Sequence, residues 1–159
     1  MRVSAVAAAA LVFAPVLHPG NQDREIAAFL EVHTEARAAV GLRPLVWSTK
    51  LASFAQDWAN HLANSNRFEH RPHNPYGENL AAFTEGDPAF GARLWLGEKK
   101  DYHGEAVDGK NFKKIGHYTQ MVWRTTRYVG YGIARRRDGM WVLVANYDPP
   151  GNVQGERPY

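Results

Sequence analysis

The sequence predicts an α+β domain, and three observations carry that prediction. Residues 21–64 contain two stretches with apolar side chains at helical spacing, and Asp87-Pro88 opens a third helix. Near the C-terminus, two apolar stretches flank Asp138-Gly139, the pattern of two strands joined by a tight turn. A chain of 159 residues, 45% hydrophobic and 12% aromatic, has enough apolar material for one core and suits a single domain.

The N-terminus stands apart. Arg2 precedes an Ala-rich apolar run, Val3 to Leu17, that is too short to span a bilayer comfortably, and Val12-Phe13-Ala14 resembles a cleavage site. Residues 1 to about 20 therefore read as a secretion signal, which places the protein outside the cell or in a periplasm. The expected organisation is signal 1–20, domain 21–152 and a C-terminal tail 153–159, with no stable membrane span once the signal is removed. A net charge of +3 is too mild for a nucleic-acid surface. The chain has no cysteine, which removes disulfides and thiolate chemistry.

Asn21 or Asp23 can cap a first helix that ends near Val40, with Gly41 as terminator. Ile26, Phe29, Leu30, His33 and Arg37 share one face, and His33 reads as a hydrogen-bonded, partly buried histidine. Leu45 and Trp47 alternate like a half-buried strand. Ser48 caps a second helix, to about Asn64, whose Leu51, Phe54, Ala55, Trp58, Ala59 and Leu62 form a core stripe. Arg67 to Asn79, with two prolines and a glycine, reads as a loop, although it holds two histidines and two glutamates. The third helix runs to about Tyr102 with Phe90, Leu94, Trp95 and Tyr102 inward and Glu98 on or beside that face. Gly104 to Lys114 reads as loop. Gly116 to Trp123 can anchor through Met121, Val122 and Trp123 while presenting His117. Val129 to Arg135 and Met140 to Tyr147 are the strands, the second apolar enough to be covered on both faces.

Four polar residues lie in apolar or titratable-rich surroundings: His70, Glu78, Glu98 and His117. If they converge, two neutral imidazoles can hold a divalent, zinc-like ion and leave positions for water or ligand. The carboxylates would then orient the imidazoles or act on a bound water. The sequence contains no H-E-x-x-H, no G-x-S-x-G and no phosphate-binding glycine loop. A glycosidase built on paired Glu78 and Glu98 stays open on residue types alone.

Gly116-His117-Tyr118-Thr119-Gln120-Met121-Val122-Trp123 resembles the first signature of the CAP superfamily, which unites cysteine-rich secretory proteins, antigen 5 and plant pathogenesis-related protein 1. Asn146-Tyr147-Asp148-Pro149-Pro150-Gly151-Asn152 is similar to the second signature. Tyr76-Gly77-Glu78-Asn79-Leu80-Ala81 matches the Gly-Glu-Asn-Leu segment, and Trp95, Glu98 and Tyr102 match the Trp-x-x-Glu-x-x-x-Tyr helix. The resemblance implies a three-layer α-β-α sandwich around a small, mostly antiparallel sheet. It also implies a cleft formed by His70, Glu78, Glu98 and His117, with His70 and His117 as ligands of zinc or another divalent ion. His73 is the rival of His70, because the gap before Gly77 varies in the family. The missing cysteines mark a bacterial-type member and leave the sterol role of some relatives without its disulfide-flanked loop. Three functions follow: a non-enzymatic binding module for a metal ion and a small-molecule or lipid ligand; a hydrolase using Glu78 or Glu98 with His117; or an interaction domain with a vestigial cleft. The oligomeric state is not encoded in any visible surface stripe.

Overall fold

The computed structural model describes residues 20–159, so the expected signal lies outside the described residues. The elements run α1 (Asn21–Ala38), β1 (Val46–Trp47), α2 (Thr49–Ser65), β2 (Gly77–Phe83) and α3 (Pro88–Leu96). A 3-10 turn (Gly97–Asp101), α4 (Phe112–Met121), β3 (Tyr128–Arg135) and β4 (Trp141–Asp148) complete the chain. The strands form one sheet in the order β1-β3-β4-β2. β4 pairs antiparallel with both β2 and β3, while β1 pairs parallel with β3.

Alternation along β4 divides the core into two layers, since successive strand side chains point to opposite faces. Val142 and Val144 pack with Ala55, Trp58, Ala59 and Leu62 of α2. Leu143, Ala145 and Tyr147 pack on the other side with residues of α1, α3 and α4, including Phe29, Trp95 and Tyr118. The result is the expected α-β-α sandwich. Its α2 layer is close enough to exclude side chains. A Cβ on Gly132 would stand 2.2 Å from the backbone of Gln56, and one on Gly130 2.3 Å from the amide of Ala52. Beyond two-residue β1 the edge of β3 is uncovered, and Gln56 fills the gap: its Nε2 donates to Ile133 O and its Oε1 accepts from Ile133 N.

Several sequence expectations need correction. The cap of α1 is Gly20, whose N–H donates to the Asp23 carboxylate at 3.2 Å, rather than Asn21 or Asp23. Gly77–Phe83 is an edge strand within and beyond the stretch read as loop. α3 stops at Leu96 and tightens into a 3-10 turn, and its buried face runs through Ala89, Ala92 and Trp95. Trp95 and Tyr102 are buried, but Leu94 is 46% exposed. Gly116 to Met121 lies inside α4, which begins at Phe112 and so takes in the last three residues of the expected loop. Residues 153–159 are fastened down. Gly155 N donates to Val107 O and Val107 N to Glu156 O, both at 2.8 Å, and Arg124 N donates to Pro158 O at 2.8 Å. Ser48 and Asp87 cap α2 and α3 as expected.

Candidate functional site

The site forms at the free edge of β2, where the two helical layers meet. Asn66, in the left-handed region at φ 56, ends α2 and turns the chain into the 67–76 loop. Asn74 Oδ1 accepts from Tyr76 N, a local turn that brings the loop back into β2. Glu78, second in that strand, is then held between loop and sheet. Its Oε1 accepts from His70 Nδ1 at 2.8 Å and Arg71 N at 3.0 Å. Its Oε2 accepts from Asn74 Nδ2 at 2.9 Å, with Asn146 Nδ2 at 3.5 Å. A carboxylate can only accept from these donors, so the His70 proton sits on Nδ1 and the Nε2 lone pair is free.

The second pair comes from the other layer. The 3-10 turn swings Glu98 against α4. There Oε1 accepts from His117 Nδ1 at 2.6 Å, and Oε2 accepts from His117 N at 2.9 Å and Tyr118 N at 3.1 Å. The same argument leaves Nε2 of His117 free. The imidazole stacks on Trp95, ring centroids 6.1 Å apart and 17° from parallel. Asn79 Nδ2 donates to His117 O at 3.0 Å, and Asn152 Nδ2 donates to the neighbouring Gly116 O at 2.8 Å. Behind these groups Met121, Val122 and Trp123 are buried and anchor the helix end.

A buried chain of hydrogen bonds supports Asn79. Its Nδ2 also lies 3.3 Å from the Tyr147 hydroxyl oxygen, and that hydroxyl donates to His33 Nε2 at 2.9 Å. His33 Nδ1 donates to Phe29 O, which fixes the tautomer. Desolvation by complete burial lowers the His33 pKa from 6.5 to about 4, outweighing the Phe29 bond. Burial pushes the Tyr147 phenol up. Both groups are neutral near pH 7 and belong to the core; His33 is fully rather than partly buried.

His70, Glu78 and His117 line one cavity of about 260 Å³, together with Asn79 and Leu80; Phe68, Phe112 and Lys113 also line it. Glu98 stands behind His117 and does not line the cavity. A second hollow of about 320 Å³ adjoins it through His70, Glu78 and Phe112. His73 is outside both linings, so His70 is the imidazole that faces His117 across the space.

This arrangement has a definite chemical character. Two imidazoles offer lone pairs, each ring oriented by a carboxylate on its other nitrogen, as in carboxylate–histidine–metal sites. Among the described residues there is no group of three or more His, Asp or Glu able to hold a metal. The donors that face the cavity and suit a zinc-like ion are the Nε2 atoms of His70 and His117. Each oxygen of Glu78 and Glu98 accepts at least one N–H.

Sequence reasoning passed over Asn74 and Asn146 as donors to Glu78. Asn74-Pro75 is a turn signal, and Asn146 is the one amide in an apolar strand, so both carried a usable hint. Phe112 and Lys113 carried none, since nothing local marks an exposed helix start as a cleft rim.

Comparison with known proteins places these residues in context. The model of the cysteine-rich secretory protein family, CAP, matches residues 30–147. The chain is 44% identical over 137 residues to pathogenesis-related protein PR-1 of Medicago truncatula, covering 82% of this chain and 77% of that one. It is 36% identical over 160 residues to the basic form of pathogenesis-related protein 1 of Nicotiana tabacum, covering 99% and 88%. Among solved structures, NaASP2 with Zn2+ superposes with a TM-score of 0.74 at 22% identity, covering 92% of this chain and 90% of that one.

Proposed function

The chain belongs to the cysteine-rich secretory protein family, and from that premise we propose that it is a secreted binding protein whose cleft takes a divalent ion and a small ligand. Residues 1 to about 20 serve as its leader, and it works outside the cell or in a periplasm. Zinc is the ion the donor set favours, held by Nε2 of His70 and Nε2 of His117. Glu78 and Glu98 hold the two rings, and the ion supplies a Lewis-acidic anchor for a ligand that fills the rest of the cavity. The observation that carries the reading is that both imidazoles of one cavity have Nδ1 committed to a carboxylate and Nε2 free. The structural neighbour determined with Zn2+ supports the choice of ion.

A hydrolase using Glu78 or Glu98 with His117 is the weaker reading. General-base work needs a carboxylate oxygen within reach of a substrate-bound water; Glu98 stands behind His117 outside the cavity lining, and Glu78, which lines it, is engaged by His70, Arg71 N and Asn74. Glu78→Gln should accordingly change zinc affinity, with no esterase, peptidase or glycosidase turnover to abolish.

The test is thermal unfolding with and without zinc. Zinc at about a hundred times its Kd stabilises a two-state protein by about 2.7 kcal/mol, which in a domain of this size raises Tm by roughly 5–10 °C. His70→Ala and His117→Ala should each remove that rise. An unshifted Tm in the unsubstituted protein would end the metal reading.

A further inference from the structure

The cleft's polar inventory defines its ligand. Glu78 is closed by His70, Arg71 N, Asn74 and Asn146. Asn79 is bonded to His117 O and the Tyr147 hydroxyl, and in the adjoining hollow Gln120 takes Gly151 N while Asn152 is held by Gly116 O and the Thr119 hydroxyl. A ligand rich in hydroxyls or amides would find few free partners, and leaving its groups unpaired costs about 1–3 kcal/mol each. The groups left over are the two Nε2 atoms, Lys113, which forms no ion pair among the described residues, and Glu69 at the rim, held only by exposed Arg67 at 3.4 Å. The remaining surface is apolar: Leu80 inside, with Phe68 and Phe112 left 51% and 42% exposed at the wall. Exposed aromatic rings around a concave space are a common mark of ligand contact.

Charge decides the order of binding. With uncharged imidazoles, Glu78 and Glu98 outweigh Lys113, while Glu69 at the rim faces Arg67 at 3.4 Å. The metal-free cleft is thus net negative and repels an anion, and a divalent ion reverses the sign. The volume of about 260 Å³ lies just below the range of drug-sized sites, on the scale of one ring with a short side chain.

We propose that the cleft's ligand is a small aryl or similarly compact amphipathic carboxylate, its apolar body against Phe68, Phe112 and Leu80 and its head toward Lys113 and the imidazoles, and that it binds only after the divalent ion. This rests on the metal reading above. Zinc and carboxylate are then coupled, and each raises the affinity of the other by the same factor.

The probe is 3-phenylpropionate, titrated calorimetrically into the protein first without zinc and then saturated with it, with 3-phenylpropanol as the uncharged control. The expected result is binding to the zinc form that is at least about tenfold tighter than to the zinc-free form and about tenfold tighter than the alcohol's, the scale of one charge-assisted contact. Lys113→Gln, a substitution at an exposed side chain, should weaken 3-phenylpropionate by about tenfold without weakening zinc, since it removes a positive charge beside the ion. Equal affinity with and without zinc, equal affinity for acid and alcohol, or no acid binding to the zinc form would each overturn the inference while leaving the metal reading intact. Failure of zinc to bind in the first titration would remove both.

Discussion

Lowering the pH from about 7 to about 4 should destabilise the fold through a residue remote from solvent. His33 is fully buried, donates through Nδ1 to Phe29 O and accepts the Tyr147 hydroxyl at Nε2. A proton on Nε2 would leave a buried cation facing a hydroxyl that must turn its own proton away, so the folded state resists protonation until about pH 4. The unfolded state takes up that proton near the ordinary value of 6.5. The folded pKa is the lower one, so this contribution is full above about 6.5, shrinks as pH falls, and is exhausted near 4, below which both states are protonated. At 1.36 kcal/mol per pH unit the interval amounts to about 3 kcal/mol, with a slope of at most about 1.4 kcal/mol per unit. Urea unfolding measured at half-unit steps gives the slope directly. In His33→Gln the protein starts less stable but should lack this slope, and titrations common to both proteins cancel in the difference. Parallel pH profiles for the two proteins would refute the argument.

Three other substitutions test the architecture and its reach into the cleft. Glu98→Gln removes the acceptor charge behind His117, and zinc affinity should fall by about 10- to 100-fold in calorimetry while the circular dichroism stays unchanged. Gly132→Ala places a methyl 2.2 Å from the Gln56 backbone, where no flexible side chain can yield, so chemical denaturation should show a loss of about 3 kcal/mol or more. Tyr147→Phe deletes the hydroxyl between His33 and Asn79 and strands Nε2 of His33; a loss of about 1–3 kcal/mol is expected in the same assay.

The sequence and the structure part company where long-range contacts outweigh local pattern. Ser48 and Asp87 announce their helices because a cap is a local event, and β4 announces itself because both its faces are covered. β2 stayed hidden: its apolar residues, Leu80 to Phe83, do not alternate with polar ones, its start lies in a Pro- and Gly-rich stretch, and its partner among the described residues, β4, is more than 55 residues away in sequence. Leu94 misled because the buried face of α3 runs through Ala89, Ala92 and Trp95, which leaves Leu94 to one side of it. The last seven residues look like a tail until Val107 and Arg124, distant in sequence, supply their backbone partners. At the site, His70, Glu78, Glu98 and His117 were legible as ionisable residues in the wrong company and through their resemblance to a family pattern. Their division into two His–Glu pairs was not, since it depends on the 3-10 turn bringing Glu98 to His117 and the Asn74 turn bringing His70 to Glu78. The aromatic and lysine lining depends on where α4 begins, which capping signals left open.

Calorimetric titration of the purified protein with zinc tests the central claim most directly. One ion per chain is expected, with binding lost in both His70→Ala and His117→Ala and retained in His73→Ala. Absence of binding, or binding that survives in His70→Ala and His117→Ala, would contradict it.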